Sequence, residues 1–518
     1  MNIKNSESEV VMSSCLQRQF VSSLIVIVCL ASATLFLSAT RGQTPTPALS
    51  PLVRVVDLDV GESQTVELCD GSQATVKLLN LKEARDSLRD AVRRAEVTVE
   101  VNGRNISMVS STYRLPPTVA GVQIDCPVTK GYLQKSSKEN AWGLEKDARL
   151  RLWPAGSPLI RPGTFVYPAG QRWFATDTQM ANVPCFVDGG EVPANKNIYY
   201  HYGLDFGGAE GLVDVLAATD GLVISAALER LPGYEDSPVT PRYDVIYLLD
   251  ERGWFYRYSH LYKIADSVRP GRRVKMGEKI GILGKEGGSG GWTHLHFDIT
   301  CRQPSGKWGI QNGYAFIWEA YQRQYQPSII AVARPHQLAW AGDIVELDAT
   351  RSWSSTGEIS KFEWTFCDGT SAAGPKVQRT YARSGEYNEI LKITDSAGNI
   401  DYDFAVVQIH DKVTSDKLPP AIHAAYYPTF GIKPGDEVTF KVRTFNTTYG
   451  KETWDFGDGS PKANVQSDGN VQVHNPQGYA VIKHRYEKAG HYIASVERTN
   501  ERGQRAITHL HVRVGIGD

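Results

Sequence analysis

The stretch that most constrains this chain is Trp292-Thr293-His294-Leu295-His296-Phe297-Asp298-Ile299. Leu295, Phe297 and Ile299 alternate with polar residues, the period of a half-buried strand, so His294 and His296 must face the same way. The run Gly284-Lys285-Glu286-Gly287-Gly288-Ser289-Gly290-Gly291 precedes it and lets backbone approach whatever the two rings hold. Upstream, His201-Tyr202-Gly203-Leu204-Asp205 sets an imidazole and a carboxylate four apart. The glycines at 203, 207 and 208 argue for a loop or strand end there rather than a helix. Tyr258-Ser259-His260-Leu261 adds a fourth histidine. One Asp and two His are enough for a zinc site that leaves the fourth tetrahedral position open, and two histidines remain for acid–base work.

The order His201-x-x-x-Asp205, Tyr258-Ser259-His260-Leu261, His294-Leu295-His296-Phe297 resembles the signature of the M23 zinc metallopeptidases, the lysostaphin and LytM-type endopeptidases of bacterial cell walls. Ala218-Thr219-Asp220-Gly221-Leu222-Val223 is similar to the family's strand entry, and Arg273-Val274-Lys275-Met276-Gly277-Glu278-Lys279-Ile280-Gly281 to its V-x-x-G-x-x-I-G turn. Carried over residue by residue, the resemblance implies that His201, Asp205 and His296 bind Zn2+ and that His260 and His294 are the catalytic pair. It also implies a small antiparallel β catalytic fold with a groove across one sheet. Trp292-Thr293 stands where a small pair often precedes the strand, Asp298 replaces the commoner Glu, and residues 229–242 read as a rim loop. Trp292 can be a substrate platform or core packing. Asp244 and Asp250 flank a strand and read as solvent-facing or turn residues.

A chain of 518 residues exceeds one core, and about one domain per 100 to 200 residues gives three to five. Lys4 and Arg18 precede an apolar run over residues 20–39, so residues 1–43 read as a signal peptide or a membrane anchor. Residues 44–51 form a Pro/Thr linker. Export to the periplasm, cell envelope or medium follows, with membrane contact only through residues 20–39 if they stay uncleaved. The net charge of -1 gives no reason to expect nucleic acid as a partner.

Residues 52–185 read as a β-rich domain of unknown role. Val97–Val101, Asn102-Gly103 and Arg104–Val109 form a hairpin signal with a type I′ turn, while Leu81, Ala84, Leu88, Ala91 and Val92 recur at helical spacing. Cys69 with Cys126, and Cys185 with Cys301, are candidate disulfides in an oxidising compartment, with buried free thiols as the alternative.

Residues 186–325 hold the peptidase-like motifs, and beyond them a repeat begins. Phe362-Glu363-Trp364-Thr365-Phe366-Cys367-Asp368-Gly369-Thr370 recurs as Glu452-Thr453-Trp454-Asp455-Phe456-Gly457-Asp458-Gly459-Ser460. Tyr381-x-x-x-Gly385-x-Tyr387 recurs as Tyr486-x-x-x-Gly490-x-Tyr492. Both are similar to PKD-domain signatures, which implies two immunoglobulin-like β-sandwiches over 326–412 and 413–518. Thr508-His509-Leu510-His511-Val512 copies the metal-strand pattern but lacks a His-x-x-x-Asp partner, so it reads as the polar face of a terminal strand.

The whole reads as a mostly β exported zinc endopeptidase acting on peptidoglycan peptides, with PKD-like domains that hold a polysaccharide or surface protein. Three alternatives remain: a catalytically silent M23-like activator of a wall hydrolase, an adhesion or scaffold protein acting through its PKD-like domains, and a peptidase acting on secreted proteins rather than on wall peptides.

Overall fold

The computed structural model describes residues 47–110, 113–134, 136, 140–176, 187–188, 193 and 198–517. The apolar run at 20–39 and Cys185 lie outside them. Among the described residues the chain is built of strands, with one α-helix at Tyr314–Tyr325, and no helix is long and apolar enough to cross a membrane.

Two four-stranded antiparallel sheets open the fold. Ser63–Glu67, Gln73–Arg85, Val92–Val101 and Arg104–Val109 form one, and Arg54–Leu58, Ala148–Pro154, Val122–Thr129 and Thr118–Val119 the other. Val76, Leu78, Val97, Val99, Leu150 and Leu152 fill the space between them. The hairpin stands, with Asn102 and Gly103 at φ 46° and 79° as a type I′ turn requires. The helix expected over Leu81–Val92 does not. Ala74, Val76 and Leu78 are buried at every second position, so the strand continues to Arg85, and tertiary pairing with Val92–Val101 overrides the 3.6-residue spacing. Between them lies a turn in which Asp86 accepts the backbone N–H groups of Leu88 and Arg89.

Cys69, Cys126, Cys301 and Cys367 are free thiols, so the Cys69–Cys126 disulfide is absent and Cys301 is unbridged. Cys69 lies on a turn beside Ser157, whereas Cys126 points into the sheet and donates to the Val128 carbonyl. Burial pushes the Cys126 and Cys301 thiols up to about 12, which keeps them inert.

The peptidase-like sheet runs in the order Leu204–Gly207, His294–Arg302, Phe255–Ser259, Ile246–Leu249, Gly221–Ala226, Glu229–Arg230. A smaller sheet of Asp214–Leu216, Lys279–Leu283 and Leu261–Ile264 lies beside it. Leu295, Phe297 and Ile299 point into the core, as their alternation requires. The core also takes in Phe316, Ile317 and Trp318 of the helix and Phe165, Tyr167 and Trp173 from upstream. These aromatic wedges back the sheet and leave its other face for polar groups.

The C-terminal repeats each bury their Trp-x-Phe pair, Trp364 with Phe366 and Trp454 with Phe456. Gly385–Asp395 and Arg505–Val514 meet in parallel at Glu386 and Ala506, which joins the two repeats through one continuous sheet. Along that seam His509 contacts Asn388 at 2.8 Å and stacks on Phe404, while His511 lies 3.4 Å from Asp401. The polar face read for this terminal strand lies at an interior seam between the two repeats.

Burial lowers His410 and His509 to about 4 and His511 to about 3, the last against the opposing effect of a hydrogen bond that His511 donates to Asp401. An unfolded imidazole takes a proton near pH 6.5 while these native ones refuse it until pH 3 to 4, so acid favours the unfolded chain. Stability should be intact above pH 6.5 and fall below it, by up to about 1.4 kcal/mol per pH unit for each imidazole. Urea unfolding at pH 7 and pH 5 checks this. His509→Gln should flatten the slope, and a slope equal to the parent's would refute its share.

Candidate active site

The site is set by register. The strand His294–Arg302 is flanked on one side by Leu204–Gly207, with Asp205 opposite His296, and on the other by Phe255–Ser259, with Ser259 opposite His296. His260 follows directly, so all five expected residues, His201, Asp205, His260, His294 and His296, converge on one end of the sheet. Each is only 5% to 8% exposed, so the cluster forms a floor largely closed to bulk water.

Two backbone features bring them together. Gly203 sits at φ 90°, and a β-carbon there would lie 2.8 Å from the Phe297 carbonyl oxygen, so only glycine lets the His201–Asp205 turn lie against the strand. His260 itself holds φ 67°, a left-handed conformation that costs a non-glycine residue on the order of 1 kcal/mol. Asp244 secures it by accepting the His260 backbone N–H at 3.1 Å, and is itself held by Arg242 at 2.6 Å. The Asp244 side chain is fully buried, which corrects the solvent-facing reading. Burial works against its charge, but His260 and Arg242 hold its carboxyl well below the usual range. Asp250 is likewise buried, on Arg252 and Tyr256.

His201 Nε2 and His296 Nδ1 lie 3.0 Å apart, and the Asp205 carboxylate reaches both, Oδ1 at 3.0 Å from His296 Nδ1 and Oδ2 at 3.3 Å from His201 Nε2. Tetrahedral zinc with bonds of about 2.0 to 2.1 Å spaces its ligands about 3.3 Å apart, so the donor set fits such an ion with little movement. Burial raises the Asp205 pKa, but the neighbouring histidines outweigh it and hold the carboxyl well below its ordinary value.

His296 Nε2 lies 3.3 Å from Asp298, whose carboxylate is also 3.4 Å from Arg257. The Nε2–H donates there, which leaves the Nδ1 lone pair for a metal. Asp298 went unremarked as an orienting group, although it is two residues along the same strand face and the period of two locates it. No comparable signal marks Asp244, sixteen residues before the histidine it serves.

His260 and His294 lie with ring centroids 4.6 Å apart. His260 Nδ1 contacts the Glu286 carbonyl at 2.7 Å and His294 Nδ1 the Trp292 carbonyl at 3.1 Å. A carbonyl only accepts, so each Nδ1 carries the proton and each Nε2 presents a lone pair. Burial depresses both, His294 to about 3, which favours the neutral rings. Trp292 stacks flat on Phe445 at 4.1 Å, a packing contact with the second C-terminal repeat.

An antiparallel sheet thus presents a three-donor cluster, which could hold a metal ion, beside two further imidazoles. Residues 199–306 match the model of Peptidase family M23, and residues 326–409 and 424–514 match PKD domain models. The chain thus carries an M23 peptidase domain followed by two PKD domains. A 73-residue stretch is 34% identical to Collagenase ColA of Clostridium perfringens (strain 13 / Type A), covering 14% of this chain and only 6% of that protein. Similar solved structures include the antimicrobial peptidase lysostaphin of Staphylococcus simulans (15% identity, 62% of this chain, 86% of that one, TM-score 0.21). Another is a LytM of Ruminococcus gnavus ATCC 29149 (22% identity, 24% of this chain, 47% of that one, TM-score 0.19).

Removing the Asp298 carboxylate should free the His296 ring. Asp298→Ala is expected to weaken zinc binding by about 10- to 100-fold in competition with a chromophoric chelator, and Asp298→Asn by less. An Asp298→Ala affinity within twofold of the parent would dismiss this role.

Proposed function

We propose that this protein is an exported zinc-dependent endopeptidase that hydrolyses peptide bonds in bacterial peptidoglycan. The observation that carries the reading is the convergence of His201, Asp205 and His296 with His260 and His294 in one buried cluster. The M23 match and the cell-wall endopeptidases of that family supply the substrate class. Export rests on the basic residues and apolar run at the N-terminus. Its partners are wall peptides, with a polysaccharide or surface protein for those PKD surfaces that face solvent.

His201 Nε2, Asp205 and His296 Nδ1 hold the metal. Zinc bound there supplies Lewis acidity, polarising a carbonyl and acidifying water towards a pKa of about 7. His260 Nε2 takes the water's proton, because Asp244, 3.6 Å from His260 Nδ1, compensates the imidazolium that forms. His294 has no such carboxylate apart from the ligand Asp205, 3.7 Å away. Its Nε2 keeps a lone pair, so it accepts a hydrogen bond from the attacking water and orients it, while the proton taken by His260 passes to the departing amine. The nearly closed floor keeps bulk water from screening these charges.

The test is mass spectrometry of peptides released from purified peptidoglycan. New peptide ends are expected from the wild type, with loss on chelation and return with zinc. His260→Ala should lower turnover by about 10²- to 10⁴-fold while leaving zinc bound. A folded, zinc-loaded protein that releases nothing would instead favour the activator of a separate hydrolase.

A further inference from the structure

The second PKD domain grips the loop that leads into the catalytic strand. Phe445 stacks on Trp292 with 5° between the rings. Arg443 Nη1 donates to the Gly291 carbonyl at 3.2 Å and Asn470 Nδ2 to the Gly290 carbonyl at 3.0 Å. Arg443 is fixed in turn by a two-pronged contact with Asp468 at 2.8 and 2.7 Å. Gly291 sits at φ 91°, and a β-carbon there would lie 2.1 Å from Asn470 Oδ1, so the two surfaces meet without a gap.

One contact reaches the chemistry. The peptide unit between Trp292 and Thr293 has its carbonyl on His294 Nδ1 and its N–H on the Tyr479 hydroxyl at 3.1 Å. Tyr479 is held from behind by the Nδ1 of His423, a fully buried residue, at 2.9 Å. The orientation of that single peptide plane therefore decides whether a carbonyl meets the His294 ring, and with it which ring nitrogen carries the proton.

We propose that Tyr479, in the second PKD domain, is a positioning residue of the peptidase centre: it fixes the Trp292–Thr293 peptide and thereby the ring and tautomer of His294. This rests on the peptidase reading. It makes the domain a working part of the active site rather than only a module for holding the enzyme on its substrate.

The test compares Tyr479→Phe with Tyr486→Phe in the full chain. Both remove a buried tyrosine hydroxyl from the same domain, but the Tyr486 hydroxyl bonds the Phe456 carbonyl, within the domain's own core. Tyr479→Phe should lower kcat by roughly tenfold with KM within about twofold, since alignment and not substrate affinity is lost. Tyr486→Phe should leave both unchanged. In parallel, hydrogen–deuterium exchange over residues 290–293 should quicken in Tyr479→Phe alone.

Equal kcat in the two variants, or unchanged exchange at 290–293, overturns the proposal. If the wild type cleaves no wall peptide, the peptidase reading fails first. The exchange comparison then decides by itself whether Tyr479 holds this peptide.

Discussion

The pairing of His294–Arg302 between Leu204–Gly207 and Phe255–Ser259 is the constraint on which the site depends. Register sets Asp205 across from His296 and ends the other neighbour at Ser259, so that His260 arrives beside them. A slip of one residue would turn Leu295 and Phe297 to the polar face and bury the imidazoles in the aromatic core. The core prevents it, because Phe297 is packed among Phe165, Phe206, Tyr256 and Tyr258 and no polar side chain fits there. Packing on one face of the strand thus holds the chemistry on the other.

Much of this was legible in the residues. The alternation of Leu295, Phe297 and Ile299 announced the strand and its buried face, and the ordered histidines announced the cluster. The repeated Trp-x-Phe pairs announced two sandwiches. Local patterns failed where a long-range partner decided the outcome. Leu81, Ala84 and Leu88 have helical spacing, yet the strand Val92–Val101 takes up Gln73–Arg85 in a ladder. Asp244 does lie in a turn, but nothing local shows that it is buried against Arg242 and the left-handed backbone of His260. Trp292 has no decisive neighbours in sequence, because its stacking partner, Phe445, lies far along the chain.

The same long-range logic runs across the nominal domains. The helix Tyr314–Tyr325 and the segment around Phe165–Trp173 complete the peptidase core, and the two repeats share a sheet. The buried pair of Lys285 and Glu210 lies beneath the glycine loop, and Lys441 of the second repeat reaches the Glu210 carbonyl at 2.7 Å. A loop so rich in glycine would lose much conformational entropy on ordering. Here the ordering contacts come from two sides, which is how a flexible sequence can feed a rigid catalytic strand.

The chain also contains its own control. Thr293-His294-Leu295-His296 and Thr508-His509-Leu510-His511 are the same four residue types in the same extended backbone, each with its histidines on one face. At the first, two imidazole nitrogens and a carboxylate converge at 3.0 to 3.3 Å, and among the described residues no Lys or Arg is paired with that carboxylate. At the second, Asp401 faces His511, but Arg513 donates to that carboxylate at 2.8 Å and Arg172 stands 3.8 Å away. The guanidinium groups supply the positive charge that the first cluster lacks, and His509 is occupied by Asn388 and Phe404. Identical strands therefore line a candidate metal centre or a domain seam according to whether histidines or guanidinium groups face the carboxylate. That is why the ordered set of five residues, and not the His-x-His pair, carries the functional reading.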